Sequence, residues 1–203
     1  MNINYNTLTN NIWNNVTKHK PTPAIPIAIF MMGLPGSGKS TVIKDFIDKN
    51  LNMEMNDFIH IDPDIFMRRH EHYDDDHPEE FNKFGVILSS KILKLVFKNK
   101  FNFVYYGTGK NYSQYMTNIN KSKSFGFRTI LIHVDVSKDV AKRRARSRKR
   151  KVPSSVINNI NKALKNKHLK SRKYKNKNNY EILSGLNTLN ESIKISNNPD
   201  RTF

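Results

Sequence analysis

The sequence predicts an α/β fold in which helices flank a central parallel sheet. Apolar runs of strand length alternate with segments of helical periodicity along the 203 residues, an order typical of parallel sheets. The run at 127–136 (FRTILIHVDV) has a continuous apolar middle, as a strand covered on both faces requires. A glycine-rich loop also follows the first apolar run and precedes a helical segment, and in such folds this is where phosphates bind.

Residues 1–24 are interpreted as an N-terminal extension, because they are rich in Asn and end in a Pro-containing linker. Four apolar residues in this extension fall on one helical face: Leu8, Ile12, Trp13 and Val16. This spacing predicts a short helix that docks on the rest of the chain, with a packing role for the tryptophan. Residues 25–203 then form the main domain.

The loop at 33–40 (GLPGSGKS) matches the phosphate-binding pattern G-x-x-x-x-G-K-S. Its glycines allow backbone N–H groups to point inward at an anion, and the following helix adds partial positive charge there. Lys39 is expected to reach the β- and γ-phosphates, and the Ser40 hydroxyl to ligate Mg²⁺. The pattern predicts a three-layer fold of the P-loop NTPase type. The residues expected to bind the nucleotide are Gly33, Leu34, Pro35, Gly36, Ser37, Gly38, Lys39, Ser40 and Thr41.

A second strand is predicted at 57–62 (DFIHID), and two carboxylates, Asp62 and Asp64, lie at its carboxyl end. Ligands bind at the carboxyl ends of strands in open α/β sheets, so both residues are placed for chemistry. Asp64 has an alternative role as a helix cap, and Asp62 either holds Mg²⁺ through water or bonds to the loop backbone. The His- and Asp-rich segment 67–80 is expected to be a solvated loop, since its spacing matches no standard metal-ligand pattern.

Further elements follow in alternation. We predict helices at 81–98, 111–124 and 153–170, strands at 101–106 and 127–136, and a final strand pair at 180–183 and 192–195. The strand at 101–106 ends in Gly-Thr-Gly-Lys, whose Thr108 and Lys110 either form a simple turn or contact a substrate. Ser137 is the expected N-cap of the helix after the fourth strand, with Asp139 in its first turn.

Positive charge is concentrated in one region. Residues 138–177 contain 17 Lys or Arg and a single acid, so this region carries nearly all of the net charge of +18. It includes an Arg-rich stretch at about 141–152 and a basic segment at 162–179. Three interpretations are open: a solvated surface or localisation signal, a lid over phosphates, and a surface that contacts nucleic acid without reading sequence through residues 141–177.

Cysteine is absent, which excludes disulfides and thiolate metal sites and fits a reducing compartment. No apolar stretch approaches the length of a membrane span, and the N-terminus lacks the features of a signal peptide. We therefore expect a cytoplasmic protein that does not contact a membrane, with a nuclear location as the alternative.

The order of these motifs resembles the zeta-toxin-like P-loop kinases, which are related to the kinase domains of polynucleotide 5′-kinases. The motifs are the phosphate loop, Asp-x-Asp-x-Phe, a strand followed by Gly-Thr-Gly-Lys, and an Arg-rich stretch that closes on Val-Pro. The resemblance covers about residues 26–170. It implies an ATP- and Mg²⁺-dependent kinase that phosphorylates a hydroxyl of a nucleotide, a sugar nucleotide or a nucleic-acid end, and it leaves room for an inhibitory protein partner.

Residue roles follow from the resemblance alone. Asp64 matches the general base of the family, and Thr108 and Lys110 match substrate-contacting residues. The lid arginines of the family match the Arg-rich stretch before Val152-Pro153, but the exact position is not fixed. The candidates are Arg143, Arg144, Arg146 and Arg148.

Several positions depart from the family pattern. Met67 stands where many relatives have an Arg, so Arg68, the next residue, becomes the candidate for substrate binding. Ser90 and Tyr106 stand where zeta toxins have acids, one of which holds an amino-sugar nucleotide. These differences do not affect the residues expected to bind ATP. They argue against the sugar-nucleotide acceptor of the toxins.

Three functions therefore remain at this stage. The first is the kinase described above, the second is specifically a polynucleotide 5′-hydroxyl kinase, and the third is a non-catalytic nucleic-acid-binding protein that retains a P-loop. The lid needs two or three charges, and 17 are present in the basic region. This excess favours a second role for the region, of which contact with nucleic acid is the one that we predict.

Overall fold

The computed structural model describes residues 3–147, 152–165, 180–182 and 191–196. Its strands form one six-stranded sheet with the order β2-β3-β1-β4-β6-β5. Neighbouring strands are parallel except for the edge pair β5 and β6, which is antiparallel. The strands are β1 (Ile27–Met32), β2 (Ile59–Ile61), β3 (Phe103–Tyr106), β4 (Arg128–Asp135), β5 (Tyr180–Ile182) and β6 (Glu191–Ser196). The predicted parallel α/β fold and its final strand pair are confirmed.

The described residues also form seven α-helices. They are α1 (Tyr5–Thr17), α2 (Lys39–Phe46), α3 (Pro63–Met67), α4 (Asn82–Asn99), α5 (Tyr112–Ser124), α6 (Lys138–Arg146) and α7 (Ser154–Lys165). The predicted second strand is shorter than expected, because a 3-10 turn at Met55–Asp57 precedes it and Asp62 already belongs to the next helix as its cap. The predicted helix at 153–170 is present as α7, and residues 166–170 lie outside the described part of the chain.

The sheet separates two apolar layers. On one face, the side chains of Ile29 and Met31 pack with those of α2, among them Ile43 and Phe46. On the other face, alternate residues of the same strands, such as Phe30, pack with α4 and α5. Because the side chains of a strand alternate between faces, the continuous apolar run of β4 fits its coverage on both sides. This arrangement fixes the carboxyl ends of β1 to β4 at one edge of the sheet.

The predicted N-terminal helix is present and is part of the larger core. Ile12 of α1 is buried in the layer that contains α4, and the Trp13 ring lies 5.6 Å from that of Phe101 in an edge-to-face arrangement. The Lys91 ammonium of α4 also donates a hydrogen bond to the Asn6 side chain at 2.9 Å. The packing role predicted for the tryptophan is therefore confirmed.

At the amino ends of the strands, the Asn102 side chain joins β1 to the start of β3. Its Oδ1 accepts a hydrogen bond from the Ile27 N–H at 2.8 Å, and its own backbone carbonyl accepts one from the Ile59 N–H at 2.8 Å. The residue is 1% exposed. Its amide oxygen therefore satisfies the backbone donor of the first residue of β1.

We expect Asn102→Ala to lower the free energy of unfolding by about 1–3 kcal/mol, because the part-buried Ile27 N–H loses its acceptor. Urea denaturation monitored by circular dichroism measures this change. Asn120→Ala, at an exposed position of α5, is the matched control and is expected to change stability by less than about 0.5 kcal/mol. Equal stability of the two variants would contradict the role assigned to Asn102.

Two absences apply to the part of the chain that is described. Among the described residues, no group of three or more ligating side chains is arranged for a metal ion. Residues 68–77 form turns and bends without helix or strand, as the loop interpretation predicts. None of the helices within the described ranges has both the length and the apolar character that crossing a bilayer requires.

Candidate active site

The glycine-rich loop lies between the end of β1 and the start of α2, as predicted. Gly33, Gly36 and Gly38 all have positive φ (146°, 85° and 90°), which glycine adopts at low cost. The Lys39 ammonium folds back over the loop and donates to the Gly33 and Leu34 carbonyls, each at 3.0 Å. The loop is therefore curled around the amino group that would meet a phosphate chain, at the amino end of α2.

Ser40, next to Lys39 in the first turn of α2, is exposed at the same helix end. Its hydroxyl and the carboxylate of Asp62 supply oxygen donors, which are the ligands that Mg²⁺ prefers. Because Mg²⁺ commonly binds through one or two protein groups together with nucleotide phosphates, this donor set fits the ion. Binding of Mg²⁺ by Ser40 and Asp62 stays a prediction.

Asp62, rather than Asp64, is the N-cap of α3. Its Oδ1 accepts a hydrogen bond from the Asp64 N–H at 2.9 Å, and Pro63 occupies the first helical position. The capping alternative considered for Asp64 is therefore wrong, because Asp62 caps the helix instead. The backbone bond of Asp62 goes to the first turn of α3. Asp64 lies in the first turn of α3 with an exposed side chain.

Helix α3 packs closely against α4, which places Asp64 at the carboxyl end of β2. Gly85 of α4 lies directly beneath α3, because any side chain there would overlap the Pro63 carbonyl. Phe66 and Met67 are buried in the same contact. The candidate base is thus presented by a short, clamped helix at the carboxyl end of β2, two strands from the glycine loop.

The Gly-Thr-Gly-Lys segment follows β3, whose strand lies between β2 and β1. The Thr108 Oγ1 accepts a hydrogen bond from the Lys110 N–H at 3.2 Å, so the turn interpretation of this segment is realised. Its position at the strand end also fits substrate contact, and that role of Thr108 and Lys110 stays a prediction. Arg68, the third candidate for the substrate, is exposed, and its guanidinium lies 4.0 Å from Asp75.

A tyrosine that sequence reasoning missed joins this segment to β1. The Tyr115 hydroxyl of α5 donates to the Met31 carbonyl, and the Gly107 N–H donates to the same oxygen at 3.1 Å. The Tyr115 ring lies against Gly107, where a Cβ would come within 2.8 Å of it. Because 84 residues separate Tyr115 from Met31, no local pattern indicates this contact.

The Arg-rich helix α6 is anchored against the glycine loop. Ser137 caps it as predicted, accepting from the Val140 N–H at 3.3 Å. Ala141 and Ala145 are fully buried and pack with Leu34 of the loop. A side chain at Gly36 would overlap the Ala141 carbonyl, so loop and helix are in direct contact. This first half of the proposed lid is therefore part of the folded core, which the sequence did not indicate.

Because one face of α6 is buried, the lid arginines on this helix have different surroundings. Arg144 lies beside Ala141 and Ala145 on the helix and is half-buried, whereas Arg143 and Arg146 are exposed on the opposite side. Among the described candidates, we therefore predict that Arg144 is the arginine that meets phosphates at the loop. Arg148 lies outside the described residues, as do residues 166–179, which include most of the basic segment at 162–179.

A hydrogen-bonded His–Tyr pair joins β2 to β3 close to the predicted site. The His60 Nδ1 is 2.9 Å from the Tyr106 hydroxyl and its Nε2 is 2.9 Å from the Met55 carbonyl. Since a carbonyl only accepts, Nε2 carries the proton and the tyrosine donates to Nδ1. The family resemblance predicts an acid at position 106, and this bond instead directs the Tyr106 hydroxyl to β2. Burial raises the pKa of Tyr106, and the charge of Asp62 raises it further, so the phenol stays neutral.

Burial also lowers the pKa of His60 below its ordinary value of 6.5. The unfolded protein therefore binds a proton more readily than the folded protein, and stability is lost as the pH falls below about 6.5. We expect the urea midpoint to decrease between pH 7 and pH 5, and to decrease less in His60→Gln, which can keep both hydrogen bonds. The exposed His77, whose pKa its hydrogen bond with Asp74 raises, has the opposite sign. The interpretation fails if the slope between pH 7 and pH 5 is the same in His60→Gln as in the wild type.

The comparisons with known proteins agree with the fold and identify a family. The family model described as "Zeta toxin" matches residues 10–191, which is most of the chain. None of the curated proteins matches the chain significantly.

Among solved structures, the PezAT chromosomal toxin–antitoxin system of Streptococcus pneumoniae contains a chain with a TM-score of 0.56 and 20% identity, over 64% of this chain and 55% of that one. A chain of the AvrRxo1-ORF1:ORF2 complex with ATP gives 0.55 and 11%, over 70% of this chain and 49% of that one. The present chain spans about half the length of these proteins, and at such identities the likeness shows a shared fold. The match over residues 10–191 shows more: the chain belongs to the zeta toxin family of P-loop kinases.

Proposed function

We propose that this protein transfers the γ-phosphoryl group of ATP to a hydroxyl of a nucleotide, a sugar nucleotide or a nucleic-acid end. The observation that carries the proposal is the arrangement at one edge of the sheet. The curled glycine loop with Lys39 follows β1, and the clamped helix that presents Asp64 follows β2. Phosphoryl transfer depends mainly on positioning and on neutralisation of charge, the two roles proposed here for Asp64 and Lys39.

In the proposed reaction, Asp64 accepts the proton of the acceptor hydroxyl, whose oxygen forms a bond to the γ-phosphorus. The bond between the γ-phosphorus and the β,γ-bridging oxygen breaks, and ADP leaves. Lys39 neutralises charge on the β- and γ-phosphates, and Mg²⁺, when bound, neutralises it further. Arg144 is our choice for the lid arginine, together with Arg148 four residues later in the sequence.

The acceptor site argues against the amino-sugar nucleotide implied by the family. Position 90 is an exposed serine of α4, and position 106 is a tyrosine whose hydroxyl bonds to His60. Neither position supplies the carboxylate expected there. Among the acceptors, this favours a nucleotide or a polynucleotide end, with Thr108, Lys110 and Arg68 as the proposed contacts.

An inhibitory protein partner is the second part of the proposal. The pneumococcal relative belongs to a toxin–antitoxin system, and AvrRxo1-ORF1 was crystallised with ORF2. We propose that a protein of this kind binds the present kinase and blocks its activity. Co-purification from the native host, followed by kinase assay with and without the bound protein, tests this part.

Incubation with γ-labelled ATP and a panel of acceptors tests the reaction. Labelled nucleotides or sugar nucleotides would identify a small acceptor, and labelled 5′-hydroxyl oligonucleotides would identify polynucleotide 5′-kinase activity. ATP binding with no labelled product on any acceptor would overturn the kinase proposal. Tight, salt-sensitive binding of oligonucleotides in that case would instead establish the non-catalytic alternative.

A further inference from the structure

Helix α6 presents two different faces. The inner face (Val140, Ala141, Ala145) is buried against the glycine loop and the adjoining core. The outer face consists of Asp139, Lys142, Arg143, Arg146 and Ser147, which together line a shallow, open cavity. Because the inner face is fixed by van der Waals contact at Gly36, the helix cannot rotate to bring the outer face to the ATP site.

The cations of the outer face have no acidic partner among the described residues beyond their own neighbour Asp139. The ion pairs within the described ranges involve other parts of the chain, and Arg146 makes only a 3.5 Å hydrogen bond to Ser154. Like charges crowded on one helix face repel one another, which costs stability. A ligand that carries several negative charges would remove this cost.

The chemistry of the outer face fits a polyanion better than a membrane or a protein. Its five residues include no apolar or aromatic side chain, whereas stable protein interfaces depend on such anchors. A helix that binds a membrane surface keeps its apolar face available for lipid, but here that face is buried.

Spacing favours a phosphate chain. Lys142 and Arg146 are four residues apart, so they are separated by about 6 Å along the helix axis. Successive phosphates of a stacked strand are about 3.4 Å apart along its axis, so cations at this separation can each meet a different phosphate. Without aromatic residues on this face, contact is expected with the backbone and not with the bases.

We propose that the outer face of α6 binds the phosphodiester backbone of a polynucleotide, through Lys142, Arg143 and Arg146. The surface is separate from the phosphate loop and holds the strand on the far side of the lid helix. Binding at this surface requires neither ATP nor phosphoryl transfer, so it can be tested independently of the proposed kinase reaction. If the acceptor is a polynucleotide, this surface deepens the proposed function by keeping the strand close to the site.

The test uses the full chain without ATP and a fluorescent 20-nucleotide single strand, with binding measured by anisotropy between 50 and 300 mM salt. Each phosphate contact adds about 0.7 to the slope of log K against log salt. For Lys142→Gln/Arg143→Gln/Arg146→Gln we expect the slope to fall by about 2, and Kd at 0.1 M salt to rise about 100-fold.

Two control variants accompany the test. Lys44→Gln/Lys94→Gln/Lys98→Gln removes the same charge from exposed positions of α2 and α4, and is expected to keep the wild-type slope within about 0.5. Lys142→Arg/Arg143→Lys/Arg146→Lys keeps the charge of the outer face and is expected to keep both slope and affinity. Circular dichroism confirms that all three variants are folded.

Three results would overturn the proposal. The first is an unchanged slope in the outer-face variant, and the second is an equal loss in the variant of α2 and α4, which would indicate general charge attraction. The third is binding to phosphatidylserine vesicles that is as tight as binding to the strand and is lost in the same variant, because the surface would then recognise a membrane.

Discussion

Asp64→Asn is expected to lower the rate of phosphoryl transfer by about 10²–10⁴ and to leave ATP binding within about threefold of wild type. The substitution keeps the shape and polarity of the side chain but removes the group that accepts the proton. Stability should change little, because Asp62, and not Asp64, caps α3. Initial rates with the acceptor found in the panel, together with titration of a fluorescent ATP analogue, measure both effects.

Asp48→Asn, at an exposed position after α2, is the control for the loss of one carboxylate. Asp62→Asn forms a second comparison, because asparagine caps helices as well as aspartate does. If Asp62 only caps α3, this variant keeps its activity; if it holds Mg²⁺ through water, it needs more Mg²⁺ for the same rate. An Asp64→Asn enzyme with near-normal turnover would remove Asp64 from the reaction.

Local patterns were sufficient for most of the fold. The apolar run of β4, the Ser137 cap and the docking helix at the N-terminus each depend on neighbours within a few residues, and all three are present as predicted. The glycine loop was predictable for the same reason, since strand, loop and helix are consecutive in the chain. Its positive φ angles occur at the glycines that the pattern supplies.

What the sequence did not indicate depends on contacts between distant segments. The bond between His60 and Tyr106 spans 46 residues, and Tyr115 reaches Met31 across 84. The helix cap at α3 is a second feature that the sequence does not decide. Either Asp62 or Asp64 could cap a helix that starts nearby, and only the actual start of α3 at Pro63 decides between them.

The sequence does not distinguish among the lid arginines for a related reason. The sequence shows eight basic residues among the eleven at 141–151, but it does not show which side of the helix meets the protein. The two alanines within this charged stretch carry that information, because small side chains allow close approach to the glycine loop. Once Ala141 and Ala145 define the inner face, Arg143 and Arg144 have different surroundings.

Arg144→Ala is therefore expected to lower the transfer rate by about 10³ or more, the effect typical of an arginine that stabilises a transferring phosphoryl group. Arg143→Ala, one residue away and with the same change of charge, is expected to lower it less than about tenfold, because its side chain lies on the outer face. Arg144→Lys should recover only part of the activity, since lysine lacks the planar, bidentate geometry of arginine.

Arg143 and Arg144 are adjacent residues of α6 and carry the same charge. The two alanine variants therefore differ only in the face of the helix from which the arginine is removed. Single-turnover rates at saturating ATP separate the transfer step from ATP binding. Equal losses in Arg143→Ala and Arg144→Ala would show that proximity to the loop does not decide which arginine acts. A larger loss in Arg143→Ala would mean that α6 turns its other face to the nucleotide during the reaction, which its packing on Gly36 opposes.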